Sequence, residues 1–254
     1  MGLIEKTQNQ WRFAEQAGTT ASDSYGGANG TLTDAGLWTP DGKIGGGIQN
    51  DGTLGNYITV PGLEFPTVGA ISVWFKTAST DRSNILGDIN PSGNPRLHFA
   101  ANYQPGIGGA TAGTIGFRRA LGGDNFDFHA AVGSDLHDGE WHHIVANFDT
   151  QDAGSPEIWF DGASQSVTVS NSALQDGVTF DAVIGTSGAG SGGSGASNSL
   201  NGSIDALAIF RDMLTSSEVA ALYNGGAGLE LVSIDTSTRY AAYTLVDGML
   251  RRIS

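Results

Sequence analysis

Short stretches in which apolar and polar positions alternate recur along most of the chain. In AISVWFKT (70–77), Ile71, Val73 and Phe75 point to one face and the residues between them to the other, the period of two of a β-strand. About a dozen such stretches follow one another at close intervals. Turn-forming Asp-Gly pairs separate several of them, at 41–42, 51–52, 138–139 and 161–162. The pattern predicts an all-β fold, a sandwich or a barrel.

One short helix interrupts the strands near the C-terminus. In RDMLTSSEVAALYNGG (211–226), Thr215 followed by Glu218 matches a capping box. Gly225 and Gly226 supply the C-terminal stop.

Composition agrees with many short strands joined by glycine-rich turns. The 254 residues include 39 Gly, while charged residues make up 15%. This length suits one large all-β domain. The net charge of −14 opposes binding to nucleic acid or insertion at an anionic membrane surface. The chain contains no cysteine, which excludes disulfides and thiolate chemistry.

The ends of the chain and one internal segment raise questions of organisation. The N-terminal MGLIEKTQNQWRF has no signal-peptide pattern, and no run is long enough to span a membrane. The segment 185–202 is either a flexible linker or, as we favour, a long glycine-rich loop within one domain. We predict one domain over 1–227 and a tail over 228–254, which adds a strand or serves as an attachment or assembly arm.

Several motifs in a fixed order resemble one known family. These are DGEWHHIVANFD (138–149), EIWFDG (157–162) and NGSIDALAIFRDMLTSSEVAALYNGG (201–226), preceded by NYITVPG (56–62). Together they resemble the laminin-G-like, concanavalin A-like jelly-roll domains, over roughly residues 9–226. The resemblance implies an antiparallel β-sandwich of two packed sheets, each of about six or seven strands.

The adjacent histidines of the first motif fit this framework. His142 and His143 fall on opposite faces of a regular strand, so they cannot both ligate one metal. We predict a structural role for them.

The resemblance also implies a structural calcium ion. Related proteins often hold calcium between an N-terminal loop and the Ile-Asp strand, which here correspond to Asp23 and Asp205. Carboxylates and backbone carbonyls suit this hard cation. The alternative is that Asp23 caps a turn and Asp205 hydrogen-bonds to a loop.

Carbohydrate binding is the second candidate chemistry. Sugar sites on β-sandwiches combine an aromatic platform with polar side chains, and five residues qualify: Trp38, Tyr103, Arg118, Arg119 and Trp159. Strand alternation places part of this set in the framework. The long loop at 101–113 is of the kind that carries function.

Catalysis lacks support, because the spaced acids of concanavalin A-like glycosidases are missing. We predict a non-catalytic surface protein that binds carbohydrate or a cell surface, as a decoration, fibre or adhesion component of a virion such as a phage. The alternatives are a purely structural assembly protein and, less favoured, a glycan-cleaving enzyme. Expected partners are a glycan or host cell surface, capsid or tail proteins, and further copies of the chain. The expected location is a virion or the extracellular surface.

Overall fold

The computed structural model describes residues 2–88, 96–105, 110–121, 124–152, 156–173, 175–187 and 199–231, and the backbone of 243–246 and 249–252. Its strands are Thr7–Trp11 (β1), Thr20–Ala21 (β2), Gly30–Leu32 (β3), Trp38–Thr39 (β4), Gly47–Asp51 (β5), Ile58–Phe65 (β6), Val68–Lys76 (β7), Ser83–Asp88 (β8), Arg96–Tyr103 (β9), Ala110–Leu121 (β10), Asp124–Ala131 (β11), Trp141–Asp149 (β12), Glu157–Phe160 (β13), Ala163–Gln165 (β14), Val167–Ser172 (β15), Val178–Ile184 (β16), Asn201–Phe210 (β17), Tyr243–Val246 (β18) and Met249–Arg252 (β19). The helices are Leu3–Lys6 (α1) and Ser216–Tyr223 (α2).

The strands form two large antiparallel sheets. An eight-stranded sheet has the order β14-β13-β12-β7-β17-β5-β4, with β1 also paired to β17. A nine-stranded sheet has the order β15-β11-β10-β9-β8-β16-β6-β3-β2. The prediction of an antiparallel β-sandwich with one short helix near the C-terminus is confirmed. Both sheets exceed the six or seven strands expected, because short strands of two or three residues, such as β2 and β4, extend their edges.

Aromatic rings from both sheets meet in the core. The ring of Phe148 on β12 stacks on Phe117 of β10 at 4.9 Å and on Phe65 of β6 at 5.2 Å between centroids. Phe128 on β11 stacks on Phe117 at 5.1 Å. All four side chains are fully buried. Offset and stacked aromatic pairs add specific geometry to the burial of large apolar surfaces.

A second apolar layer covers the outer face of the eight-stranded sheet. Helix α2 buries Val219 and Leu222 there, and Leu231 packs into the same cluster. The predicted capping box is confirmed, since the Thr215 hydroxyl accepts from the Glu218 amide. The helix ends at Tyr223, and the C-cap residue that follows, Asn224, has a φ of 49° in the left-handed region, directly before the two glycines.

The two histidines of β12 lie on opposite faces, as predicted. His142 stacks on Phe160 and contacts the carboxylates of Asp138 at 3.1 Å and Asp161 at 2.7 Å. His143 lies under α2, where its Nε2 is 2.9 Å from the Ser72 hydroxyl. Both histidines are therefore held by framework contacts.

Three segments complete the description. Residues 188–198 of the glycine-rich segment lie outside the described residues, while β16 and β17 on either side belong to the two different sheets. In the tail, β18 and β19 pair with each other in a separate two-stranded sheet. Within the described residues, neither helix has the length and apolar character needed to cross a membrane.

Burial of His143 generates a prediction about stability in acid. Burial lowers its pKa from 6.5 to about 4. His143 therefore stays neutral in the folded protein at a pH where the same side chain binds a proton in the unfolded chain. The stability that this group contributes is present above pH 6.5 and is lost as the pH falls towards 4. We expect the free energy of unfolding to fall by about 3 kcal/mol more over this interval in the native protein than in His143→Gln. Urea unfolding of both proteins at several pH values measures this difference, and parallel curves would contradict it.

Candidate functional site

The outer face of the nine-stranded sheet carries a group of polar side chains at its centre. Phe117 and Phe128 point into the core, so their neighbours Arg118 and Asp127 point outward. These two residues lie opposite each other in the β10–β11 pair. Arg82, next to β8, and Tyr103, at the end of β9, complete what we call the outer-face cluster: Arg82, Tyr103, Arg118 and Asp127.

Direct contacts order the outer-face cluster. The Tyr103 hydroxyl donates to Asp127 Oδ2 at 2.8 Å, and Arg118 Nη2 donates to Asn125 Oδ1 at 2.8 Å. The guanidinium carbon of Arg82 lies 5.0 Å from the centroid of the Tyr103 ring, a cation–π arrangement. The cluster therefore brings two cations, a phenol and a carboxylate together.

Tyr103 lies on the sheet because β10 has a glycine beneath it. A Cβ built on Gly116 would lie 1.9 Å from Tyr103 Cδ1, so any larger residue would displace the ring. With the ring in this position, the hydroxyl reaches Asp127. A glycine is thus required at position 116, because the Tyr103 ring lies too close to its Cα for any side chain.

An open groove adjoins the cluster. It has a volume of about 250 Å³ and is lined by Pro105, Arg118, Asn125, Asp127, Ser170 and Asn171. The lining combines a guanidinium, a carboxylate, two amides and a hydroxyl. Such groups donate to and accept from hydroxyl groups, which is the chemistry that a polyhydroxylated ligand requires.

Burial keeps the phenol of the cluster protonated. Burial, and secondly the charge of Asp127, raise the pKa of Tyr103 far above its usual value of 10. Tyr103 is therefore a neutral donor to Asp127 at physiological pH. Burial also lowers the pKa of Arg82, and the like charge of Arg118 lowers it further. The Arg82 guanidinium still keeps its proton at neutral pH, because arginine is not deprotonated in proteins.

Of the predicted sugar-binding residues, Tyr103 and Arg118 come together in this cluster, whereas Arg119 does not. Arg119 is one residue further along β10, so it points into the sandwich, where it is 1% exposed and lies over the Phe65 ring. Burial lowers its pKa to about 10. Strand alternation thus removes Arg119 from the surface that Arg118 occupies.

The two predicted tryptophans lie on the other sheet. Trp38 on the edge strand β4 is half-buried against the core, and its indole donates to the Gly18 carbonyl at 2.8 Å. Trp159 on β13 packs against the cluster below α2, and its indole donates to Glu157 at 3.2 Å. Neither side chain reaches the outer-face cluster.

Asp127 and Asn125 were not among the predicted site residues, although one signal could have indicated them. Two glycines, at 122 and 123, separate the alternating stretches of β10 and β11, a typical hairpin signal. Such a turn sets Leu121 opposite Asp124 and therefore Arg118 opposite Asp127. Arg82 has no comparable signal, since it precedes its strand.

Asp23 organises the N-terminal loop through N–H donors. Its carboxylate, 9% exposed as a residue, accepts from the side-chain amide of Asn9 at 2.7 Å. It also accepts from four backbone amides at 2.9–3.1 Å, those of Gln10, Tyr25, Gly26 and Ala28. These donors occupy the lone pairs that a cation would need.

Asp205 is likewise held by backbone amides. It accepts from Ile44 at 2.7 Å and from its neighbour Ala206 at 2.6 Å, and burial raises its pKa to about 6. The described residues contain no group of three or more histidine or acidic side chains placed to hold a metal. N–H donors point at both carboxylates, which does not fit a calcium ligand set. Calcium at Asp23 and Asp205 is what the family resemblance predicts, and the hydrogen bonds of the two carboxylates favour the alternative, in which both hold loops.

Known proteins that are similar to this chain share its fold. The sequence profile of the family described as "Concanavalin A-like lectin/glucanases superfamily" matches residues 51–220. A search of curated protein sequences finds no significant match.

Several solved structures are similar. Domain 4 of AbnA, an extracellular arabinanase from Geobacillus stearothermophilus solved in complex with arabinotriose, is 18% identical with a TM-score of 0.62, covering 88% of this chain and 98% of that one. The binding domain of Paraclostridial Mosquitocidal Protein 1 is 13% identical with a TM-score of 0.64, covering 88% and 53%. The ligand-binding domain of botulinum neurotoxin serotype D, in complex with N-acetylneuraminic acid, is 15% identical with a TM-score of 0.56, covering 87% and 51%. This chain spans about half of the two toxin domains. Identities this low show the fold alone.

The contact between Gly116 and Tyr103 is testable by substitution. We expect Gly116→Ala to destabilise the protein by about 1–3 kcal/mol, because the added methyl group forces the ring off the sheet. The same change in a Tyr103→Ala background is expected to cost much less, since the colliding ring is gone. Urea unfolding of the four proteins in this cycle measures the coupling, and additive effects would contradict it.

Calcium binding is tested by thermal unfolding with calcium and then with chelator. Because N–H donors occupy both carboxylates, we expect equal unfolding temperatures in the two conditions. A calcium-dependent rise that disappears in Asp23→Asn would instead support a calcium site there.

Proposed function

The chain belongs to the concanavalin A-like lectin/glucanases superfamily, and from this membership we propose that it is a non-catalytic glycan-binding module. The proposed site is the groove beside the outer-face cluster. The observation that carries the proposal is the lining of that groove, in which Arg118, Asn125 and Asp127 surround a volume of about 250 Å³. This volume lies just below the usual range for pockets that bind small molecules, so the groove suits a small part of a glycan chain.

The chemistry of the groove supports a sugar ligand. A sugar ring presents neighbouring hydroxyl groups that both donate and accept hydrogen bonds. In the groove lining Arg118 donates, and Asn125, Asn171 and Ser170 both donate and accept. The Tyr103 hydroxyl fixes the carboxylate of Asp127 in place, so the site is ordered before a ligand arrives.

Two similar structures support the same class of ligand. The arabinanase domain was solved with arabinotriose and the neurotoxin domain with N-acetylneuraminic acid. Both ligands belong to those proteins, and the shared fold makes a glycan a reasonable ligand for this one.

The absence of catalysis is part of the proposal. Glycoside hydrolysis commonly uses two carboxylates about 5–10 Å apart, one on each side of the scissile bond. Among the described residues that line the groove, Asp127 is the one carboxylate, and it already accepts from Tyr103. This arrangement supports binding without cleavage.

We propose the outside of a virion or a cell as the setting, with glycans as partners. An assembly role is the second candidate, and the β18–β19 pair favours it. Within the described residues these two strands pair with each other and with neither large sheet, so their outer edges can pair with a strand of another chain. Light scattering with and without residues 228–254 tests this candidate: a trimer or larger assembly that depends on the tail would support it, and an unchanged monomer would contradict it.

The glycan-binding proposal is tested with a broad glycan array followed by calorimetry on the best ligand. We expect Asn125→Ala and Asn171→Ala to weaken binding about two- to tenfold each, since each removes a hydrogen-bonding group from the groove. Gln165→Ala, on an edge strand of the other sheet, is the matched control and should bind like the native protein. Absence of any glycan binding would refute the proposal, while binding that neither groove variant weakens would move the site elsewhere.

A further inference from the structure

Positive charge predominates in the outer-face cluster, although the chain as a whole has a net charge of −14. From this contrast we infer that the groove selects glycans that carry a carboxylate over their neutral counterparts. The inference rests on the proposed glycan-binding function and names the class of sugar that the same site prefers.

The charges of the cluster do not balance. Arg82 and Arg118 contribute two positive charges, and Asp127 contributes one negative charge. Within the part of the chain that the structure describes, the ionisable groups that act on Arg82 are Arg118, Asp127 and Tyr103. Tyr103 stays neutral, because burial and Asp127 raise its pKa. The four side chains of the cluster taken together therefore carry one net positive charge, which attracts an anion to the groove beside them.

Arg118 is the cation that can contact a ligand directly. It is half-buried and lines the groove, and its Nη2 atom is held by Asn125 Oδ1 at 2.8 Å. A guanidinium is planar and presents its N–H donors as a fork, which matches the two oxygens of a carboxylate. Because Asn125 holds one end of this fork, the ligand meets a guanidinium of fixed orientation.

Arg82 supplies the second positive charge from a buried position within the cluster. It is 2% exposed, and its one direct side-chain hydrogen bond within the described residues is a long one of 3.5 Å to Asn84 Oδ1. Its Nε atom has no hydrogen-bond partner there. A buried cation with incomplete compensation is costly. Because the charges of Arg82 and Arg118 act on each other, a ligand carboxylate at Arg118 reduces the repulsion between the two guanidinium groups.

Asp127 explains why the preferred anion is a single carboxylate. Its negative charge lies beside Arg118 in the groove lining, on a residue that is 3% exposed. The same charge repels a ligand with several negative groups close together, such as a polysulfated glycan. A sugar acid fits this lining, with its carboxylate on Arg118 and its hydroxyls on Asn125, Ser170 and Asn171.

The experiment compares ligands that differ in one charge. Calorimetry or a binding array would measure the protein against 3′-sialyllactose and lactose, against oligogalacturonides and their methyl esters, and against a sulfated glycosaminoglycan oligosaccharide. For at least one pair we expect the acid to bind about 10- to 100-fold more tightly than its neutral counterpart. The preference should shrink as the salt concentration rises.

Two variants assign the preference to the groove. Arg118→Gln should reduce the preference for the acid to near unity while neutral sugars still bind, and Arg118→Lys should keep a reduced preference because it retains the charge but loses the fork. Arg211→Gln, which removes an exposed arginine after β17, is the matched control and should behave like the native protein. Circular dichroism and the unfolding temperature confirm that each variant is folded.

The outcomes separate the two proposals. Equal binding of acids and their neutral counterparts would overturn the charge preference and leave the glycan-binding function intact. Tighter binding of the sulfated ligand than of every carboxylate would overturn the assignment to a sugar acid. Binding of none of these ligands, together with an empty broad glycan array, would overturn both proposals. An acid preference that survives Arg118→Gln would place its origin outside this groove.

Discussion

The structure depends on the stack of aromatic rings that joins the two sheets. Phe148 from one sheet contacts both Phe117 and Phe65 of the other, with centroids 4.9 and 5.2 Å away, and those two rings are 6.2 Å from each other. Planar rings at these distances tolerate neither a shift in register nor a smaller residue without leaving a cavity. Because the side-chain period of a strand is two, an inward Phe117 also determines which face each neighbouring residue of β10 occupies.

The binding chemistry follows from that constraint. With Phe117 inward, Arg118 must face outward and Arg119 must face inward, although the two are neighbours of the same type. The partner strand obeys the same rule, since Phe126 and Phe128 turn inward and leave Asp127 opposite Arg118. The charged groove is thus the outer side of the same residue pattern that builds the core. A one-residue slip of β10 would exchange Arg118 and Arg119 and remove the site.

The parts of this arrangement that depend on local pattern could be predicted from sequence. Alternation indicated the strands, and Thr215 with Glu218 indicated the start of the helix. Which of two adjacent arginines faces the groove could not be predicted in this way, because that choice depends on the phase of β10 relative to the core. The contact of Tyr103 with Gly116 depends on pairing between strands. The position of Arg82 over the Tyr103 ring depends on the path of the chain before β8. Tertiary contacts of this kind leave little trace in a single sequence.

The two outer faces of the sandwich are covered differently, and this difference supports the position of the proposed recognition site. Helix α2 and Leu231 cover the outer face of the eight-stranded sheet with apolar contacts, so Trp159 and His143 serve packing there. The corresponding centre of the nine-stranded sheet carries the outer-face cluster and an open groove instead. Asp23 and Asp205 hold loops through backbone amides and do not line that groove. Arg118 and Asp127 do line it, and the charge of Arg82 acts on both of them from within the cluster, which is the arrangement behind the proposed preference for an acidic sugar.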